Sequence, residues 1–117
     1  MRSITLALMF VLSAAILVAG DTASLLAKCS VKVTWSRRGE DATVTVTVKN
    51  GSKKTLVDPS VRVTFFDKDG TQVASDSKTY FVRLGKGANK RLEARIWSLV
   101  PPEAVKAEGK VEDGVFE

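Results

Sequence analysis

Thr43-Val44-Thr45-Val46-Thr47-Val48, running into Lys49-Asn50, is the stretch on which the fold turns. Valine alternates with threonine for six residues. That period of two places one face of an extended strand in a core and the other at water. The same pattern spreads in both directions. Upstream, Val31, Val33 and Trp35 alternate with Lys32, Thr34 and Ser36, and Arg37-Arg38-Gly39-Glu40-Asp41 reads as the turn between the two strands. Downstream, Asn50-Gly51-Ser52-Lys53-Lys54 is loop chemistry, Leu56-Val57 a short edge piece, and Asp58-Pro59 a break.

A third strand places Val61, Val63 and Phe65 opposite Arg62, Thr64 and Phe66, and ends at Asp67-Lys68-Asp69-Gly70. That tetrapeptide suits a hairpin turn, the glycine accepting positive φ and the aspartates bonding nearby amides. Thr71 to Ser75 then returns, followed by Thr79 to Leu84. A basic loop, Gly85-Lys86-Gly87-Ala88-Asn89, precedes a strand with Leu92, Ala94 and Ile96 inward, which Pro101-Pro102 stops. Val105, Ala107, Gly109 and Val111 mark a last strand, and residues 113–117 read as a frayed acidic tail. The expected fold is all-β, an immunoglobulin-like β-sandwich of about seven antiparallel strands over residues 30–112. Trp35, Phe65, the valine rows, Leu84, Leu92 and Ile96 form the expected core.

The first twenty residues belong to a different pattern. Met1-Arg2-Ser3 is a short positive start and Ile4 to Val18 is an apolar run broken only by Thr5 and Ser13, the anatomy of a signal peptide. Val18-Ala19-Gly20 before Asp21 supplies a cleavage site. The run from Ile4 to Gly20 makes a helix of about 25 Å against a hydrocarbon core of about 30 Å, so an uncleaved membrane anchor is the competing reading. Residues 21–29 read as a short linker. The expected location is outside the cytoplasm: periplasm, cell surface or extracellular space.

Within the chain of 117 residues there is no His and one Cys. Histidine acid/base chemistry, serine or cysteine triads and the common zinc sites are therefore excluded within one chain. No cofactor and no catalytic residue is expected. A carboxylate pair such as Glu93 with Asp67 or Asp76 would suit glycoside hydrolysis only if the fold set them across a cleft. Asp67-x-Asp69-Gly70 begins like a calcium loop, but the twelfth position is Lys78 where a Glu is needed, so a plain turn and no metal is the expectation. Cys29 has three readings. Leu25-Leu26-Ala27-Lys28-Cys29 resembles the bacterial lipoprotein box, with Lys28 where a small residue is usual; the thiol can pair with another chain; or it is a half-buried residue opening the first strand. Asn50-Gly51-Ser52 satisfies the N-glycosylation pattern.

Charge gives the lead on binding. The net charge is +5, and the excess is uneven: residues 21–100 hold fifteen basic and eight acidic side chains, whereas 101–117 hold two and five. Lys53-Lys54, Arg83, Lys86, Lys90, Arg91 and Arg95 fall on one loop end and one late strand face. Strict alternation also turns Phe66 and Trp97 outward, where aromatic rings serve as a contact platform. Lys86, Arg91 and Arg95 for charge, with Phe66 and Trp97 for apolar contact, are the expected binding residues. The basic loops lack interleaved aromatics, so nucleic acid is not the expected partner.

The run Thr43 to Lys49, then Asn50, Ser52, Leu56, Val61 to Gly70 and Leu84-Gly85-Lys86-Gly87 resembles the FxLYD-type domain of bacterial and archaeal exported proteins and lipoproteins. Val63, Phe65 and Phe66 stand where the name-giving Phe, Leu and Tyr are usual, while Asp67 and Gly70 agree. The resemblance implies a small β-sandwich displayed outside the cytoplasm as an accessory or binding module, and no catalytic residues. Its expected partner is an envelope or secreted protein, or an anionic envelope polymer. The alternative is an assembly subunit of a surface appendage that pairs through an edge strand or the N-terminal segment.

Overall fold

A computed structural model describes residues 21–117. The signal or anchor assignment for residues 1–20 lies outside the described residues. Residues 21–26 are helical, with Leu26 resting on the core, so the expected linker has structure of its own. Eight strands follow among the described residues: β1 (Cys29–Arg38), β2 (Asp41–Asn50), β3 (Leu56–Phe66), β4 (Gln72–Thr79), β5 (Arg83–Leu84), β6 (Asn89–Arg91), β7 (Arg95–Trp97) and β8 (Lys106–Phe116). All pairings are antiparallel. The hydrogen-bonded order is β4-β3-β8-β1-β2-β6, with β5 also on β3 and β7 also on β2.

The two hairpins form where the alternation and turns place them. β1 and β2 pair over their whole length from Cys29↔Asn50 to Arg38↔Asp41, with Gly39 at φ 64° in the turn. β3 and β4 pair from Ser60↔Thr79 to Phe66↔Gln72. In their turn Asp67 Oδ1 accepts the amides of Asp69 and Thr71, both at 2.9 Å, and Gly70 takes φ 82°.

The last strand, β8, inserts between β3 and β1 and gives the molecule its sandwich-like form. Its ladder with β3 is long, whereas its link to β1 is the single pair Val31↔Gly109. One half, β4-β3-β8-β5, therefore meets the other, β1-β2-β6-β7, along a narrow seam. The inward rows pack across it. Val44, Val46 and Val48 of β2 and Val61, Val63 and Phe65 of β3 are fully buried, each contributing about 1.5–3 kcal/mol relative to an exposed position. Trp35 meets Phe65 edge to face at 5.2 Å.

Three expectations change. Asp58-Pro59 does not end a strand: β3 passes through it with Asp58 at φ 50° and an extra residue opposite β8 between Val57 and Ser60. Aspartate tolerates that left-handed conformation, and the bulge absorbs the proline. Residues 113–117 are not a frayed tail, because β8 runs to Phe116, Leu56 pairs with Phe116, and Thr55 and Glu117 exchange both backbone bonds at 2.9–3.0 Å. Backbone pairing to β3 outweighs the polar character of that stretch.

The third change concerns the late strand. Leu92 is buried and donates to Val46, while β7 places Arg95 opposite Val44. Thr45 alone of β2 thus faces two residues of the late strand, an insertion at Glu93-Ala94. One extra residue reverses the parity of everything after it. Trp97, expected outside, is 2% exposed, and Ile96, expected in the core, is 45% exposed.

The seam makes a prediction. A Cβ on Gly109 would lie 2.7 Å from Val31 Cγ1 and 2.7 Å from Val33 Cγ2, and branched valines at a strand pairing have little rotamer freedom to yield. Gly109→Ala should destabilise the chain by about 1–3 kcal/mol in urea unfolding; an unchanged midpoint would contradict so close an approach.

Candidate functional site

Two edge strands, β4, paired only with β3, and β7, paired only with β2, approach each other without a ladder. Side chains bridge them. Arg95 Nη1 donates to the carbonyl of Thr79 at 2.9 Å, and Trp97 Nε1 reaches the carbonyl of Asp76 at 3.4 Å. The Arg95 guanidinium lies 4.5 Å from the Tyr80 ring centre and Lys78 Nζ lies 5.0 Å from that of Trp97, each in cation–π range. Arg95 also pairs with Glu93 at 3.2 Å. The insertion at Glu93-Ala94 is what turns Arg95 and Trp97 toward this junction.

Beside the junction lies an open groove of about 670 Å³ lined by Lys78, Thr79, Phe81, Glu93, Ala94, Arg95 and Ile96. Phe81 is 79% exposed on it. A second hollow of about 340 Å³ continues past Phe81 to Lys90 and Arg91. Tyr80 lines that hollow and is buried, and among the described residues its hydroxyl has no hydrogen-bond partner. Burial pushes the Tyr80 phenol up, Arg95 pulls it part of the way back, and Glu93 adds to the rise. The arrangement offers apolar surface from Phe81 and Ile96 beside the charged Lys78, Glu93 and Arg95.

The sequence-selected residues do not form one cluster. Arg95 is at the junction, on the inner side of its strand, and Arg91 is exposed on β6 opposite Thr47. Lys86 is exposed in the loop before β6. Phe66 is half-buried on the outer face of β3, its ring centre 6.0 Å from Lys106 Nζ. Trp97 belongs to the core. Arg91 and Arg95 do not share one outward strand face, because the insertion that buries Trp97 lies between them, yet both line the hollow of about 340 Å³. Phe81 and Ile96, rather than Phe66 and Trp97, are the exposed apolar side chains on the groove. A frame question was visible in the sequence: Leu92 and Trp97, five residues apart, share a face only if one residue is extra.

Cys29 opens β1 half-buried. Its Sγ lies 3.6 Å from the Leu25 carbonyl and 3.7 Å from Asn50 Oδ1. Burial pushes the thiol up, with the Gly51 amide opposing the rise. Asn50 is fully buried, and its side-chain nitrogen donates to the carbonyls of Lys54 and Leu84, each at 2.8 Å. An amide so engaged has no room for a glycan, so the Asn50-Gly51-Ser52 pattern is structural.

The outer face of β3 and β8 carries an ion pair in which one nitrogen reaches both carboxylate oxygens. Arg62 Nε donates to both Glu112 oxygens, at 2.8 and 3.2 Å. That bond holds the Glu112 carboxyl below the usual glutamate range against partial burial. The pair therefore stabilises the fold fully above the ordinary value of about 4.3 and loses its contribution as the pH falls through that range toward the folded value. Glu112→Gln should lower the urea midpoint at pH 7 and match the unmodified chain well below the ordinary range; a gap that persists undiminished in acid would contradict the assignment.

No family model matches this chain, and no curated protein matches it. Among solved structures it is similar to a crystal structure of a DUF1425 family member from Shewanella sp. pv-4, at 18% identity over 74% of this chain and 79% of that one, with a TM-score of 0.46. That likeness is too distant to carry an inference.

Proposed function

We propose that the chain is a non-enzymatic, exported binding or accessory module of the cell envelope, an immunoglobulin-like sandwich of the FxLYD type that works by protein–protein contact. Export is supported by the charged start and apolar run of residues 1–18. The binding role rests on one observation: Phe81, 79% exposed, and Ile96, 45% exposed, line one groove together with Lys78, Glu93 and Arg95. A large ring left in water beside charges that are already positioned is the pattern of an interface anchor and its polar rim. Arg95 is held by Thr79, Tyr80 and Glu93, so little side-chain freedom is lost when a partner arrives.

The β4 edge is the less suitable contact for the assembly alternative. Its Asp76 and Thr79 carbonyls already accept bonds from Trp97 and Arg95, which leaves fewer groups for an added strand.

A photoreactive phenylalanine analogue in place of Phe81 tests the groove in the source cells. We expect a discrete heteromeric adduct from that position, none from the same probe at Thr34 on the outer hairpin face, and at least about a fivefold loss of adduct with Ile96→Glu. An identical adduct pattern from both positions, or none from position 81, would overturn this reading.

A further inference from the structure

The molecule is electrically polarised along its strands. Loops 49–55 and 83–90 meet residues 21–28 at one end, through Asn50 N to the Ala88 carbonyl at 2.8 Å, Gly87 N to the Asn50 carbonyl at 2.7 Å, and Gly51 N to the Lys28 carbonyl at 3.1 Å. Glu117 joins them through Thr55. These segments bring together seven basic side chains, Lys28, Lys49, Lys53, Lys54, Arg83, Lys86 and Lys90, against Asp21 and Glu117, with exposed Asp58 beside Arg83 through its amide bond to Val82. Arg83 is paired with Glu117. The six lysines are all exposed, and no ion pair forms on any of them among the described residues.

The opposite end, at the β1–β2 and β3–β4 turns and segment 98–106, is balanced. Arg37, Arg38, Lys68 and Lys106 there face Glu40, Asp41, Asp67, Asp69 and Glu103. Six like charges gathered with few counter-charges and no ion pairs repel one another, and an external anionic surface relieves that repulsion.

We infer that the lysine end seats on the anionic headgroups of a lipid bilayer. Two observations select a membrane among anionic partners. The apolar run Ile4–Val18 leads through residues 21–28 directly to this end. Cys29, the lipidation candidate, opens β1 beside Asn50 at the same end. A retained apolar run or a lipidated Cys29 would each bring this end of the chain to the bilayer with its lysines facing it. The chemistry fits as well: ammonium groups on flexible stems are point charges that suit a laterally mobile headgroup layer, and a single apolar attachment holds firmly only with a second, polybasic signal. This inference shares the envelope location with the proposed function but uses none of the groove residues, so either can fail without the other.

The test uses the full chain on phosphatidylcholine vesicles with and without phosphatidylglycerol, with amine acetylation read residue by residue in a mass spectrometer. Lys53, Lys54 and Lys86 should acetylate at least about fivefold more slowly on the anionic vesicles than on the neutral ones. Lys68 and Lys106 should not change, raised salt should erase the difference, and Lys53→Glu with Lys54→Glu should strip the protection from Lys86. Equal rates on both vesicle types, or equal slowing at Lys68, would overturn the inference. So would stronger protection by soluble polyglutamate than by anionic vesicles, which would mark an acidic polypeptide as the partner.

Discussion

The buried amide of Asn50 is the interaction on which the rest of the molecule depends. It follows Val44, Val46 and Val48 on the same inward face, so the sheet carries a polar group into its own core. Its side-chain nitrogen ties two loops, through the Lys54 carbonyl and the Leu84 carbonyl, with the Gly85 carbonyl at 3.2 Å. Its oxygen accepts from Ser52, amide at 3.0 Å and hydroxyl at 2.7 Å. With its own backbone bonded to residues 87 and 88, one residue joins the end of β2 to both loops at that end. A buried amide costs dearly when unpaired and specifies one arrangement when fully paired, which explains a polar residue at the end of a valine row.

That knot also sets the charge distribution. Lys49, Lys53, Lys54, Lys86 and Lys90 come from segments far apart in sequence and become neighbours because Asn50 gathers their backbones. The groove at the β4–β7 junction arises elsewhere and differently, from the insertion at Glu93-Ala94 that turns Arg95 and Trp97 inward and leaves Ile96 outside. The account thus contains two surfaces with separate origins: a basic end made by a buried hydrogen-bond network, and a mixed apolar and charged groove made by a register shift.

Much of this architecture was legible in the residues. Alternation over Val31–Trp35, Val44–Val48 and Val61–Phe65 located three strands and their inward faces, and the Gly39 and Gly70 turns located two hairpins, because each signal is local. The late strand departs from strict alternation because one residue is inserted at Glu93-Ala94; the odd spacing of Leu92 and Trp97 raises the question, and the pairing with Val46 and Val44 places the insertion. Residues 113–117 read as a tail because their stabilisation comes from backbone bonds to β3 and Thr55, which leave no mark in side-chain hydropathy. Asn50 was hidden for the opposite reason. Asn-Gly-Ser is ordinary turn chemistry, and only its parity with the preceding valines hinted at burial. For the candidate site, alternation puts Arg91 and Arg95 on one strand face; the structure instead brings them to one hollow from different sides of the register, with Lys86 in the loop before β6.

The most direct measurement on the central claim compares the unmodified chain with Asn50→Ala by urea unfolding and backbone hydrogen exchange. Removing the amide leaves the Lys54 and Leu84 carbonyls and the Ser52 donors without their buried partner. The account predicts a loss of about 2–4 kcal/mol, together with lost protection at the amides of Ser52, Lys54 and Gly87. A loss below about 0.5 kcal/mol with those amides still protected, the size of an ordinary surface substitution, would contradict it.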